Sequence, residues 1–213
     1  MFQAVIFDLD GTLLNTLEDL AAAGNYALRQ AGLPEHPVQA YRYFVGNGIP
    51  RLIERITGEN GDKREQVHRS FLAYYGEHKE DRTRPYPGIL ELLDSLRERG
   101  IRLGVVSNKD DGAVKSMIRS YFGDRFQVVL GRRDGLPPKP DPGLVQEALH
   151  SLAVPPEETL YVGDSSVDIL TAKAAGTASC GVLWGFRTEE ELREAGAERL
   201  AADPSELLHH ILS

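Results

Sequence analysis

Apolar and polar positions follow two different patterns along this chain. Beyond residue 85, short apolar runs typical of buried strands alternate with stretches of helical periodicity. The predicted helices cover 89–99, 111–121, 143–152 and 166–175, and the predicted strands cover 101–106, 126–130, 159–162 and 178–183, with one or two short helices at the end. Another buried strand begins at Ala4 and breaks into a turn before Thr12. This alternation predicts a parallel sheet with helices on both faces.

The segment between the first two strands is helical throughout. Residues 16–30 predict a helix with Asn15 or Thr16 as its N-cap, and helical patterns continue to about residue 80. Within them, four apolar residues at helical spacing form one stripe: Ile49, Leu52, Ile53 and Ile56. A stiff connector with two prolines then leads into the alternating part.

The two patterns together predict an α/β protein. Its core is a doubly wound, Rossmann-like parallel sheet made of residues 1–14 and 85–213, and residues 15–84 form an inserted all-helical cap domain. Ligands in such sheets bind at the carboxyl ends of the strands. The insertion follows the first strand, so we expect it to cover the site as a lid.

The first strand ends in a motif that suggests chemistry, Asp8-Leu-Asp10-Gly-Thr12. Side chains alternate along an extended segment, so Asp8 and Asp10 are expected on the same side. Two carboxylates that close repel each other unless a cation lies between them or one keeps its proton. This arrangement suits a carboxylate nucleophile beside an acid/base carboxylate on a metal ion. The alternative is an ordinary solvated turn.

Composition narrows the class of protein. The 213 residues carry a formal net charge of −8 and no basic run, which argues against nucleic-acid binding and means that local cations must attract any anionic substrate. The single cysteine, Cys180, excludes an intramolecular disulfide and is expected as a small core residue. With neither a signal peptide nor a membrane-spanning stretch in the sequence, we expect a cytoplasmic protein.

Polar residues also follow the later strands. Ser107, Asn108 and Lys109 bring a hydroxyl, an amide and an ammonium to the end of the strand at 101–106. Ser107 could donate to a phosphoryl oxygen, although capping of the next helix is the more common role of Ser and Asn. Lys139 lies among four prolines, which stiffen the backbone and can aim its ammonium, whereas a lone loop lysine is usually solvated.

The strongest of the later motifs is Gly163-Asp164-Ser-Ser-Val-Asp168. Gly163 allows close backbone approach, and Asp168 is expected on the same helix face as Asp164. Either carboxylate could simply complement the helix dipole. If both converge on Asp8 and Asp10, however, a cation is needed, and a few hard oxygen ligands are what Mg²⁺ prefers.

In this order and spacing, the motifs resemble those of the haloacid dehalogenase superfamily of phosphatases over the whole chain. Further segments look most like the phosphoglycolate phosphatases of that superfamily: Val45-Gly-Asn-Gly48, Tyr74-Tyr-Gly-Glu77, Pro85-Tyr-Pro-Gly88, Ser107-Asn-Lys109 and Lys139-Pro-Asp-Pro142. One departure is Asn15, where relatives usually carry Asp. Because Asn15 lies outside the four catalytic motifs, it bears on lid motion or substrate choice.

The resemblance implies a mechanism through an aspartyl-phosphate. Asp8 would attack phosphorus, and Asp10 would give a proton to the leaving alkoxide and later take one from water. Mg²⁺ would be held by the Asp8 carboxylate, the Asp10 backbone carbonyl and Asp164, with Asp168 in its ligand shell or just behind it.

The same resemblance assigns the phosphate-binding residues. Ser107 and Lys139 would neutralise phosphoryl oxygens, Asn108 would position the substrate, and the Thr12 hydroxyl is also expected to bind it. The predicted function is therefore a Mg²⁺-dependent phosphomonoesterase acting on a small metabolite, with phosphoglycolate as the best candidate. We expect a monomer or homodimer with no membrane partner.

Other functions remain open from the sequence. They are a sugar-phosphate phosphatase or mutase, a nucleotidase, a pyrophosphatase, or a non-catalytic binding protein. Hydrolytic dehalogenases lack the second carboxylate, so Asp10 argues against them.

Substrate choice is assigned to the cap. The turn Gly46-Asn47-Gly48 before Pro50 offers unpaired N–H groups for a carboxylate, and Arg51 could reinforce this contact. The alternative is that Arg51 is a solvated surface residue.

Overall fold

The computed structural model describes all residues from Met1 to Ser213. Its strands are β1 (Ala4–Phe7), β2 (Leu14–Asn15), β3 (Arg84–Pro85), β4 (Arg102–Asp110), β5 (Val128–Arg132), β6 (Thr159–Gly163), β7 (Ala178–Val182) and β8 (Arg199–Ala201). Its α-helices are α1 (Leu17–Gln30), α2 (Tyr41–Phe44), α3 (Ile49–Thr57), α4 (Arg64–His78), α5 (Ile89–Glu98), α6 (Asp111–Phe122), α7 (Gly143–Leu152), α8 (Ser166–Ala175), α9 (Glu189–Glu194) and α10 (Pro204–Leu212). No helix combines the length and hydropathy that a membrane-spanning segment requires.

The chain divides into two compact units. One, the core unit, contains Met1–Leu14 and Pro85–Ser213, and the other, the helical unit, contains Asn15–Arg84. The short strands β2 and β3 pair with each other where the chain passes from one unit to the other. Each unit is described below by itself.

The core unit is built on a six-stranded sheet with the order β5-β4-β1-β6-β7-β8. All of its pairings are parallel. The chain adds strands on one side of β1 and then crosses to the other side, so the strand order reverses between β1 and β6. In open α/β sheets this is where ligands bind, beyond the carboxyl ends of the strands.

Both faces of this sheet are covered, as the predicted fold class requires. Side chains of β1 alternate between them: Val5 and Phe7 pack with residues of α5, α6 and α10, while Ala4 and Ile6 pack with residues of α7 and α8. These four side chains are fully buried, so β1 is apolar on both faces. The doubly wound, Rossmann-like fold is confirmed.

Most element boundaries agree with the sequence to within two residues, with a few exceptions. The predicted strand at 101–106 continues to Asp110, with an irregularity in its pairing with β5 between Val106 and Asp110. The prediction also missed β8, because Arg199–Ala201 is a three-residue edge strand without an apolar run.

The helical unit has its own polar anchors. Buried Asp19 of α1 accepts hydrogen bonds from the backbone N–H groups of Arg82 and Thr83 and from the Thr83 hydroxyl. Of the predicted apolar stripe on α3, three side chains are buried, but Ile49 at the start of the helix is partly exposed. The hydrogen bonds of Asp19 hold the first and last segments of the unit together.

Candidate active site

The carboxyl ends of the central strands carry the polar residues of the core unit. Asp8 directly follows β1, Ser107 to Lys109 form the last part of β4, and Asp164 directly follows β6. Because these three strands are adjacent and parallel, their ends meet at one edge of the sheet.

Three buried carboxylates converge there. One oxygen from each of Asp8, Asp164 and Asp168 lies within 4.8 Å of the other two. The residues are 8%, 3% and 1% exposed, so water screens their mutual repulsion poorly. Buried oxygen donors at this spacing fit a hard divalent cation. Asp8 and Asp164, the expected carboxylate ligands, belong to this cluster, and so does Asp168, which was expected in the ligand shell or just behind it. Asp10 was expected to contribute its backbone carbonyl, and its carboxylate lies outside the cluster.

Asp164 accepts one hydrogen bond from backbone and one from a side chain. Its Oδ2 accepts a 2.7 Å hydrogen bond from the Phe186 backbone N–H, and its Oδ1 lies 3.4 Å from the Thr12 hydroxyl that donates to it. Gly11 has a φ of +89°, and a Cβ there would lie 2.3 Å from Asp164 Oδ2. Position 11 therefore requires glycine, because its backbone has a positive φ and because a side chain there would overlap the Asp164 carboxylate. The Thr12 hydroxyl, expected to bind substrate, is directed to Asp164 instead.

Asp168 caps a helix and also belongs to the acidic cluster. As residue N3 of α8 it closes a capping box with Ser165, whose N–H and hydroxyl donate to its Oδ2 at 3.1 and 2.7 Å. Its Oδ1 accepts a hydrogen bond from Lys139 Nζ at 2.7 Å. The expected shared helix face was wrong, because Asp164 lies in the turn before α8. Asp168 can lie this close to the end of β6 because Gly163 has no side chain, since a Cβ there would lie 2.2 Å from Asp168 Cβ.

Lys139 connects the acidic cluster to the sheet. Its Nζ lies 2.9 Å from Asp8 Oδ1 and 2.7 Å from Asp168 Oδ1. The same nitrogen donates to the Tyr161 hydroxyl at 3.0 Å and to the Val106 carbonyl at 3.2 Å. Lys139 is 3% exposed, so it is not the solvated loop lysine of the alternative interpretation.

Burial and neighbouring charges shift the pKa values of Lys139, Asp8 and Asp164. Burial alone would lower the pKa of Lys139, but Asp168 and Asp8 outweigh it and raise that pKa well above its usual value, so the amine stays cationic. Burial raises the pKa of Asp8 to about 7, although Lys139 opposes the shift. Burial together with Asp168 and Asp8 also raises the pKa of Asp164 well above its ordinary range. Without a cation, the cluster therefore favours bound protons.

Ser107 and Asn108 do not cap a helix. The N-cap of α6 is Asp110, whose side chain accepts from the Ala113 N–H. Asn108 instead holds the backbone of Lys139 from both sides, accepting from its N–H at 2.8 Å and donating to its carbonyl at 3.2 Å. The capping alternative was wrong, and Asn108 is a residue that positions Lys139.

Asp10 forms an ion pair with a second lysine, Lys109. Both of its carboxylate oxygens lie 2.9 Å from Lys109 Nζ, and the two side chains are 15% and 6% exposed. The neighbouring carboxylates Asp8 and Asp10 are thus compensated by two different ammonium groups. Lys109 was not among the expected site residues, although its place at a strand end beside Ser107 and Asn108 was a usable signal.

Arg51 belongs to the helical unit and is largely exposed there. It forms an ion pair with Glu54 on the same helix, with 64% of its side chain exposed. The neighbouring Arg55 donates to the carbonyls of Tyr43 and Phe44 and to Asn47 Oδ1, which ties α3 to the glycine-containing turn before it. Within its own unit, then, Arg55 supports the turn and Arg51 projects from the surface.

Comparisons with known proteins agree with this geometry. The haloacid dehalogenase-like hydrolase family matches residues 5–182 of the chain. A phosphoglycolate phosphatase of Haemophilus influenzae is 35% identical over 217 residues, which cover 97% of each protein. One of Neisseria meningitidis is 36% identical over 205 residues, 92% of this chain and 87% of that protein. A crystal structure from Lactobacillus delbrueckii subsp. bulgaricus has a TM-score of 0.94 and 32% identity, with 99% of this chain and 98% of that chain covered.

The fold and the site define a hydrolase with a carboxylate cluster at the switch point of a parallel sheet. The chain belongs to the haloacid dehalogenase-like hydrolase family. Within that family it is a phosphatase, and the predictions of its superfamily and enzyme class are confirmed.

Proposed function

We propose that this phosphatase hydrolyses phosphoglycolate with Asp8 as its nucleophile and Mg²⁺ as its cofactor. The observation that supports the proposal most directly is the convergence of Asp8, Asp164 and Asp168 with Lys139 at the carboxyl end of β1. The choice of substrate follows the names of the relatives from Haemophilus influenzae and Neisseria meningitidis.

The metal fits the residues present. Asp8 and Asp164 would hold Mg²⁺ together with the Asp10 backbone carbonyl, and Asp168 lies close enough to join them or to hold them in place. The ion would neutralise charge on the phosphoryl oxygens. Protons bound by the cluster in its absence would be released when it binds.

The reaction would proceed in two steps. A carboxylate oxygen of Asp8 attacks phosphorus, the bond to the ester oxygen breaks, and Asp10 gives its proton to the departing alkoxide. Water then attacks the phosphoryl group, Asp10 takes a proton from it, and the bond between phosphorus and Asp8 breaks to release phosphate. Lys139 and Ser107 would stabilise the phosphoryl charge in both steps, while Asn108 would keep Lys139 in position.

The helical unit would supply the cap of the enzyme. We propose Asn15–Arg84 as that cap domain, with Arg51 as a residue that binds the carboxylate of the substrate. Exchange of its partner Glu54 for a substrate carboxylate would keep the guanidinium paired.

The proposal is tested by assaying the purified protein against a panel of phosphate esters, with excess Mg²⁺ and with a chelator. We expect the highest kcat/KM for phosphoglycolate and no turnover in the chelator. Asp8→Asn should reduce activity to background, whereas the control Asp124→Asn, at a side chain 95% exposed, should behave as wild type. Preference for another ester would refute the proposed substrate, and full activity in the chelator would refute the metal.

A further inference from the structure

Lys109 is held in a fixed position at the end of β4. Its backbone N–H donates to Ser107 Oγ at 3.3 Å. On the other side, a Cβ on Gly131 would lie 2.8 Å from the Lys109 carbonyl oxygen, so the backbones of β4 and β5 touch here. The Lys109 side chain therefore starts from a rigid strand end, and its ammonium reaches both oxygens of Asp10.

The two lysines of the site differ in what surrounds them. Lys139 has four oxygen partners within 3.2 Å, one directly after β1 and the others on β4, β6 and α8. Lys109 instead forms its ion pair with Asp10, the group that would hand a proton to the leaving alkoxide. An oxygen that receives this proton must lie within hydrogen-bond distance of Asp10, and it therefore lies next to the Lys109 ammonium.

This neighbourhood has a consequence for the leaving group. In phosphoglycolate, the carboxylate carbon is two bonds from the ester oxygen, so its oxygens lie about 3 Å from that ester oxygen. They are within reach of an ammonium that is 2.9 Å from the Asp10 carboxylate. The formal net charge of −8 makes such a local cation necessary for an anionic substrate.

We propose that Lys109 binds the carboxylate of the leaving alcohol, in addition to the contact assigned above to Arg51, and so selects phosphate esters that carry an anionic group next to the ester linkage. This inference rests on the proposed function, since it needs Asp10 to attend the leaving oxygen. When the substrate enters, Lys109 exchanges the Asp10 carboxylate for that of the substrate. The buried ammonium stays paired, and Asp10 becomes available to the ester oxygen. A neutral alcohol offers Lys109 no replacement partner.

The test compares two alkyl esters of similar size in wild type and in Lys109→Met, which removes the ammonium but keeps an unbranched side chain. The esters are phosphoglycolate and ethylene glycol monophosphate, whose neutral hydroxymethyl group replaces the carboxylate. We expect the ratio of their kcat/KM values to fall at least tenfold in the variant, the scale of one lost charge-assisted hydrogen bond. Lys115→Met, at an exposed lysine on α6, serves as the control and should keep the wild-type ratio.

Product inhibition gives a second measurement. Glycolate should inhibit the hydrolysis of p-nitrophenyl phosphate by the wild type more strongly than ethylene glycol does, and Lys109→Met should abolish this difference. Lys109→Arg keeps the charge and should retain part of the preference for the substrate and product that carry a carboxylate. It provides the test if the methionine variant does not fold.

The outcomes separate this inference from the proposed function. Equal losses for both alkyl esters would mean that Lys109 only orients Asp10, and an unchanged ratio would mean that the carboxylate is bound elsewhere. Either result overturns the inference while phosphoglycolate remains the substrate. If the wild type itself does not prefer phosphoglycolate, the proposed substrate fails, whatever Lys109 does.

Discussion

Replacement of Lys139 by Met should strongly destabilise the core unit. In wild type its ammonium lies between Asp8 and Asp168, at 2.9 and 2.7 Å. Without it, two buried carboxylates face each other within 4.8 Å. When both are charged, their repulsion amounts to at least about 3.5 kcal/mol at an effective dielectric constant near 20. Removal of one partner from a buried ion pair typically costs about 3–5 kcal/mol, so we expect a loss in that range.

Unfolding in urea at pH 8 in the presence of a chelator measures this loss. Trp184 is the single tryptophan, and its indole N–H donates to the carbonyl of Thr12, whose hydroxyl donates to Asp164. Its fluorescence therefore follows the folding of the site. Lys115→Met is the matched control. Its ion pair with Asp111 spans one helical turn with 53% of the lysine side chain exposed, and should contribute no more than about 1 kcal/mol.

A second substitution checks the cause. In Lys139→Met/Asp168→Asn one of the two facing charges is gone, so part of the lost stability should return. If Lys139→Met costs less than about 1 kcal/mol, like the surface control, then the buried pairs do not stabilise the core and the reasoning is wrong.

Three further predictions concern the same site. Asp10→Asn should slow the phosphorylation step for phosphoglycolate more than for p-nitrophenyl phosphate, whose leaving group needs no proton; equal losses in single-turnover experiments would contradict its role as general acid. Burial raises the pKa of Asp8 from 3.8 to about 7, so the folded state binds protons more tightly and the metal-free protein should lose stability as the pH rises from about 4 through 7. Mg²⁺ should therefore raise the melting temperature more at pH 8 than at pH 5, and an equal increase would argue against binding to this cluster. Gly11→Ala places a Cβ 2.3 Å from Asp164 Oδ2 and should therefore weaken Mg²⁺ binding. The Mg²⁺ concentration needed for half-maximal rate, measured by titration of the metal, should rise at least tenfold.

The sequence was most informative where one local rule decides the outcome. Strand–helix alternation predicted the layered sheet because apolar periodicity alone determines which residues face a core. Gly163 was expected to allow a close approach to its backbone, and the Asp168 side chain occupies the space that a Cβ there would need. In contrast, the short edge strand β8 was missed because its pairing comes from its neighbour β7 and not from its own residues.

The polar contacts were harder to predict because they join distant parts of the chain. Asp8 and Lys139 were both named from the sequence, but no local pattern shows that one ammonium bridges Asp8 and Asp168. Similarly, nothing near Asp10 in the sequence indicates that its partner is Lys109. Asn108 was expected at the substrate, and only the structure shows that both ends of its amide hold the Lys139 backbone. Such pairings depend on the register of β1 with β4, which the sequence does not specify.

The central position of β1 also affects how the protein is made. This strand is synthesised first, but its neighbours β4 and β6 begin only at Arg102 and Thr159. At roughly 5–20 residues per second, the ribosome needs on the order of ten seconds to deliver both. During that time the contiguous helical unit can fold, while the apolar β1 remains an unpaired strand that is exposed to aggregation. The carboxylate cluster is completed only once Phe186 has emerged to hold Asp164, so a nascent chain that ends earlier carries the first aspartates without a finished site.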